Sequence, residues 1–296
     1  MARIEGIAGQ SDDLTKLKIR RTVCYVVLVL LVIMSLLPFY LLLVNATRKH
    51  PINGIRWFFD KYLGTNIKNL MGKDFRSNYG SLGRAFVNSL IIAVSSTALS
   101  VYVSALTAYA IHVYDFKLKK AAHTFILIVM MVPTQASAIG LYRMLKSMNL
   151  LDSYIPLIIP AAAAPAVYFF MIQYMASSLP LEIVEAARMD GCGEFRTFNE
   201  IVTPILKPAF SVQAIFVFVG SWNNLFMPQM IIDSAEKKTI PLILQIMRAN
   251  LSSNPSAADG GVMNLYMVLA ILPVVIIYLL LSKNIVGGVA IGAVKG

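Results

Sequence analysis

Long apolar runs alternate with short polar stretches along this chain, and six of the runs approach the length of a bilayer crossing: residues 23–44, 86–111, 124–142, 154–176, 209–231 and 263–282. About 20 helical residues cover the ~30 Å hydrocarbon core. The runs predict an all-α membrane protein with six transmembrane helices. Residues 1–22 form an N-terminal segment, residues 23–282 the six-helix domain, and residues 283–296 a C-terminal tail. Between the fourth and fifth runs lies a polar loop, residues 177–208.

That loop carries the strongest local signals. Pro180 suits a first helical turn, and Glu182 and Glu185 place negative charge near the positive end of the helix dipole. Gly191 suits a left-handed C-terminal cap, and a second helix is expected from about Glu194 until Pro204 ends it. Ala186 and Ala187 predict a low-relief face that another protein can approach closely. Arg188, Arg196 and Lys207 stand against Glu182, Glu185, Asp190, Glu194 and Glu200, a net −2 within a chain of net +11. An acidic helical pair in a basic protein points to a basic docking surface on another molecule.

Composition agrees with a membrane class. The chain is 57% hydrophobic over 296 residues, with mean hydropathy +0.69, above the roughly 45–50% apolar share of soluble domains. The run Val23–Val44 exceeds the 7–15 residues of a signal-peptide core, so a retained helix is favoured over cleavage after Ala46. With the N-terminus inside, the 26 basic residues divide evenly between the two sides, because residues 45–85 alone hold eight. The positive-inside rule is therefore silent over the whole chain. The cluster Lys16, Lys18, Arg20 and Arg21 and the compact Lys117/Lys119/Lys120 turn favour cytoplasmic N- and C-termini. The basic residues sit in loops beside spans, which suits anionic lipid rather than nucleic acid. Cys24 and Cys192 imply no disulfide framework.

No expected span contains Asp, Glu, Lys, Arg or His. This argues against a proton- or ion-coupled carrier, which generally places ionisable groups within the membrane. No phosphate-binding loop is present: Gly64 to Gly72-Lys73 has the wrong spacing, and Asp74 replaces the magnesium-holding hydroxyl. His50, His112 and His123 show no metal-ligand spacing, so no metal and no catalytic residue is expected. Uncharged polar groups are the candidates for a hydrophilic path: Asn88 in the second run, Gln135 in the third, and Trp222, Asn223 and Asn224 in the fifth. The hydroxylated residues of the second run, Ser95 to Thr107, are expected chiefly to let helices pack closely.

The spacing Glu185-Ala186-Ala187, Gly191, Ile201 and Pro204 resembles the cytoplasmic loop of ABC-importer permease subunits, with Thr203-Pro204 where that family usually has Leu-Pro. Residues Arg84–Leu90, Ala105–Ala110, Trp222-Asn223, Thr239–Leu242 and the ending Gly292–Gly296 extend the likeness over roughly residues 20–296. They resemble the smaller permease subunit of carbohydrate transporters of the maltose type, within the binding-protein-dependent inner membrane component family.

The resemblance implies the type I importer permease fold and a place in the bacterial cytoplasmic membrane. It implies a larger homologous permease as partner, two copies of an ATP-binding subunit that hold ATP and magnesium in place of any cofactor here, and an extracytoplasmic sugar-binding protein. Glu185, Ala186, Ala187, Asp190, Gly191, Ile201 and Pro204 would couple to one ATPase, and Val294, Lys295 and Gly296 would reach it from the tail. A permease of the same superfamily for a non-sugar solute, such as a peptide or amino acid, and an ATPase-independent channel or carrier are the alternatives.

Overall fold

The computed structural model describes the backbone of residues 2–49, 57–133, 135–253 and 260–293, and side chains within residues 17–49, 57–133, 135–253 and 260–284. Among these residues the regular structure is entirely helical. Five helical segments are long and apolar enough to cross a membrane: Leu17–Ala46, Leu82–Val113, Ile155–Ser178, Lys207–Ile231 and Gly260–Asn284. They match five of the six expected runs to within a few residues at most ends.

The expected third run differs. In place of one helix over 124–142, the chain forms α5 (Lys119–Met130), an irregular stretch, and α6 (Ala138–Ser147). Pro133 lies in the interruption, where it supplies no backbone N–H, and α6 carries Arg143 and Lys146. Helix α1 runs Ala2–Ala46 and α15 runs Gly260–Ala293, so both helices continue past the expected span ends at residues 22 and 282.

The chain forms two compact units. The first comprises residues up to 69 together with 254–269. Its long element is α1, whose side chains from Leu17 to Tyr40 are all exposed. Past Ala46 the chain turns back in a hydrogen-bonded elbow. Asp60 N donates to Thr47 Oγ1 at 2.8 Å, Tyr62 N to Thr47 O at 3.0 Å, and the Asn66 amide to Ala46 O and Arg48 O at 2.8 and 2.7 Å. Asn66 belongs to α2 (Leu63–Met71). Gly261, in the first turn of α15, packs so closely here that a Cβ would run into the Arg48 carbonyl and the Asn66 amide.

The second unit comprises residues 70–253 and 270–296. It contains α3 (Lys73–Tyr79), α4 (Leu82–Val113), α5, α6, α7 (Ile155–Ile158), α8 (Pro165–Ser178), α9 (Leu181–Met189), α10 (Glu194–Arg196), α11 (Thr203–Ile205), α12 (Lys207–Trp222), α13 (Phe226–Ile231) and α14 (Ile240–Ser253). Helix α4 is the central strut, packed along α8 and α12. Its buried stripe is dominated by small residues: Ala85, Ser89, Ala93, Ser96, Ser100, Ser104 and Ala108. Spacings of three and four place them on one face and let neighbouring backbones approach, the packing role expected for the hydroxylated residues. Ser96 and Ser104 also donate to Leu157 O, within α7, and to Ala164 O, just before α8, at 3.2 and 3.4 Å, at the two ends of a proline-interrupted stretch. Side-chain donors of this kind satisfy backbone that prolines leave unpaired inside a membrane.

Candidate functional site

The loop between α8 and α12 folds as two short helical pieces set against the end of α4. Pro180 is the N-cap of α9 rather than a residue of its first turn, with Glu182 next to the dipole's positive end. At the other end Gly191 adopts φ +76°, Gly191 N donates to Arg188 O at 3.0 Å and Cys192 N to Ala187 O at 2.9 Å. This paired arrangement is the Schellman cap, in which glycine tolerates the left-handed backbone.

The second piece begins at α10, continues through a π-helical stretch, Thr197–Val202, and ends in α11. Pro204 does not end it as expected: the helix reaches Ile205 and breaks at Leu206. The wider π turn accommodates the missing proline N–H, and Thr203 Oγ1 donates to Phe198 O at 2.9 Å.

Burial divides the two pieces into an inner and an outer face. Val184, Phe198, Val202 and Leu206 are buried in the core that α4 and α8 share, and Ala187 is buried as well. Ala187 therefore belongs to this chain's own packing, a correction to the expectation that it joins Ala186 on an open face. Glu182, Glu185, Ala186 and Met189 are exposed together, at the spacing of one helical face. Asp190, Gly191 and Pro204 are exposed, and Ile201 is half-buried. Met189 is 88% exposed and Phe195 is 72% exposed. These two apolar side chains were not anticipated. A helical wheel through Glu185 finds Met189, whereas nothing in the local sequence distinguishes Phe195.

A compact polar bracket fixes the pieces in place. Arg188 Nε donates to Glu194 Oε1 at 2.6 Å, and the Tyr109 hydroxyl donates to Glu194 Oε2 at 3.1 Å. The Arg188 guanidinium lies 5.3 Å from the Tyr114 ring centroid, within cation–π range. Phe198 sits against Tyr109 and Tyr102 with ring centroids 5.3 and 5.8 Å apart, and the Tyr102 hydroxyl donates to Asn199 Oδ1 at 3.1 Å. The hydrogen bond from Arg188, followed by that from Tyr114, holds the Glu194 carboxyl below its ordinary pKa. Burial, followed by Glu194, pushes the Tyr114 hydroxyl up. Glu194 thus remains an anion with three partners, while Glu185 faces outward.

The expected path residues are placed differently. The Asn88 amide donates to Glu236 O and Lys238 O at 2.8 and 3.0 Å. It is buried and serves as a clamp on the 232–239 segment rather than as a wall of an open path. That segment is also held by Asp152, which accepts from Ser234 Oγ at 2.5 Å and Lys237 Nζ at 2.8 Å. These hydrogen bonds, Lys237 first, depress the Asp152 pKa strongly. Trp222 is 2% exposed, stacked on Phe218 with centroids 5.8 Å apart, and donates from Nε1 to Ala270 O at 3.0 Å. It is core. Asn223 and Asn224 are exposed at the break between α12 and α13, where Asn224 Oδ1 accepts from Met227 N at 3.3 Å. Gln135 is exposed in the interruption after α5. Val294, Lys295 and Gly296 lie outside the described residues.

Residues 100–290 match the family described as "Binding-protein-dependent transport system inner membrane component". The chain is 36% identical to the arabinooligosaccharides transport system permease protein AraQ of Bacillus subtilis (strain 168), over 75% of this chain and 77% of that protein. It is 30% identical to the lactose transport system permease protein LacG of Rhizobium radiobacter, over 92% and 95%. Its fold resembles a chain in the crystal structure of a bacterial ABC transporter involved in import of the acidic polysaccharide alginate. That match has a TM-score of 0.73 and 20% identity, and covers 90% of this chain and 96% of the other. The chain belongs to the binding-protein-dependent transport system inner membrane component family and has the permease fold of ABC importers.

Proposed function

We infer that this chain is the permease subunit through which a sugar or oligosaccharide enters a bacterium, with a second, homologous permease forming the other half of the path. The naming of relatives for arabinooligosaccharides and lactose supports a carbohydrate substrate. The ATPase is a separate subunit, present in two copies, and it alone binds ATP and magnesium; this chain supplies no catalytic group. An external binding protein delivers the solute. Helices α5 and α6, with the interruption between them, make up the remaining crossing of a six-span domain, and both termini face the cytoplasm.

The observation that carries this reading is the outward face Glu182, Glu185, Ala186, Met189 and Phe195, mounted on a bracket that ties it to α4. Its two carboxylates and two exposed apolar side chains suit a cleft with basic and apolar walls on the ATPase. Closure of the two nucleotide-binding subunits would push this face. Because Phe198, Val202 and Leu206 are locked into the core of α4 and α8, the push would move spans rather than bend a loop. Packed elements of this kind exchange between discrete arrangements instead of deforming continuously.

Reconstitution into proteoliposomes with the cognate permease, ATPase and binding protein tests the function. Uptake of radiolabelled arabino- and malto-oligosaccharides should require ATP and the binding protein together. Uptake independent of both would restore the channel or carrier reading, and uptake of peptides or amino acids in place of sugars would replace the substrate class.

A further inference from the structure

Three stretches that stand out in the sequence, Arg84–Leu90, Trp222-Asn223 and Thr239–Leu242, play no part in the proposed coupling, yet the fold brings them to one place. Ser89, Trp222 and Thr239 line a cavity of about 20 Å³ within the second unit, with Ser221, Asn224 and Pro228 among the other lining residues. Ser89 lies on α4, Ser221 and Trp222 at the end of α12, Pro228 on α13, and Thr239 directly before α14. The cavity is therefore the meeting point of four elements.

Thr239 brings an unused hydroxyl to it. The residue holds the N-cap position of α14, where Ile243 N donates to Thr239 O at 3.0 Å. A threonine there ordinarily turns its side-chain oxygen to the N–H of the second or third helical residue. Here the second is Pro241, which has no N–H, and the first, Ile240, donates its N–H to Ser89 Oγ at 2.9 Å. Thr239 is 4% exposed, and its Oγ1 is buried with no hydrogen-bond partner among the described residues. A buried hydroxyl that has lost its hydration is costly unless another polar group meets it.

Another wall of the cavity is the break between α12 and α13, at residues 223–225, inside the span Lys207–Ile231. Non-helical backbone at membrane depth is tolerated where it is buried in protein or lines a cavity that holds water. Roughly 10–15 Å³ suffices for one water, so the cavity accommodates a single water and is far too small for a sugar ring. No Asp, Glu, Lys, Arg or His lines it, so nothing there offsets the charge of an ion. We propose that this cavity is the binding site of one ordered water, held by Thr239 Oγ1 and by the polar groups of Ser221 and Asn224. The water joins the start of α14 to the break between α12 and α13. The inference depends on neither the solute nor the ATPase.

Thr239→Val keeps the shape of the side chain and removes its hydroxyl, and the sign of its effect separates a wet site from a dry one. Replacing a dry, unpaired hydroxyl by a methyl group is neutral or stabilising, whereas removing one that holds a water leaves that water short of a partner. In the full chain assembled with its partners in lipid nanodiscs, Thr239→Val should lower the thermal midpoint by a few degrees, and Thr239→Ser should stay closer to wild type. A midpoint at or above wild type for Thr239→Val would overturn the proposal. Electron cryo-microscopy of the wild-type assembly, at a resolution that shows ordered water, should reveal a compact peak about 2.5–3.0 Å from Thr239 Oγ1 and within hydrogen-bond reach of Ser221 or Asn224. No peak, an elongated peak, or a protein group bonded to Thr239 Oγ1 would overturn it equally. The wild-type map decides alone if Thr239→Val fails to assemble.

Discussion

Two polar regions of the second unit meet opposite fates. In the loop that follows α8, the outer face of α9 leaves Glu182 and Glu185 exposed, while a separate set, Arg188, Glu194, Tyr109 and Tyr114, holds the loop in place. At the start of α4, Asn88 and Ser89 are committed inward: Asn88 donates to two carbonyls, and Ser89 Oγ accepts from Ile240 N at 2.9 Å. Water is the cause of the difference. A loop carboxylate beside solvent costs little to leave outward and available to a partner, whereas a polar side chain within packed helices is favourable only when it satisfies another polar group. The lesson for a permease is that side-chain polarity inside a span signals backbone repair before it signals a solute path.

The largest effect should come from removing the apolar half of the bracket. Phe198→Ala deletes a ring that is almost wholly buried against Tyr109 and Tyr102, and substitutions of this kind cost about 3–5 kcal/mol. A marked fall in the thermal midpoint, read by fluorescence-detected size exclusion in mild detergent, is expected. A midpoint close to wild type would mean that the loop is held by something other than this core.

Next in size is the inner polar region. Asn88→Leu strands the carbonyls of Glu236 and Lys238, at about 1–3 kcal/mol for buried groups left unpaired. Stability should fall while the ATPase still co-purifies. Normal stability with altered solute selectivity would return Asn88 to the path and erase the contrast drawn above.

Gly191→Ala is a smaller test of the loop. No atom lies within 4 Å of the position a Cβ would take, so the expected cost of about 1 kcal/mol is the left-handed backbone alone. Asn at the same position should recover part of it.

The pH dependence of Glu194 should be the smallest effect, since both partners of its ion pair are partly exposed. Its folded pKa is depressed, so its contribution is complete above the ordinary carboxylate range and is lost as pH falls through the depressed value. Melting curves of wild type and Glu194→Gln should differ at pH 7 and converge in acid. A gap that widened in acid would reverse the assignment.

Much of this was legible in the sequence. Five of six apolar runs became helices long enough to span, because a run of ~20 apolar residues has few alternatives. The loop's cap at Gly191 followed from glycine chemistry. The third run is divided between α5 and α6 because its apolar residues continue past Pro133, whereas a helix depends on an unbroken backbone as well as on hydropathy. Ala187 was placed outward by its neighbour's company, although its spacing from Val184 sets it on the inward side. Trp222 and Asn88 carried no local sign that their donors are taken by Ala270 and by Glu236 and Lys238, contacts 48 to 150 residues away.

The central claim is that the outward face of α9 holds the ATPase while the inner polar residues hold the fold. It is tested most directly by purifying tagged chain in gentle detergent from cells expressing its native partners, as wild type and as Glu185→Lys, and quantifying by mass spectrometry what accompanies each. The coupling assignment predicts that wild type brings a second permease and an ATPase, and that Glu185→Lys keeps the permease but loses most of the ATPase. Equal recovery of the ATPase with both forms, with transport intact, would contradict it.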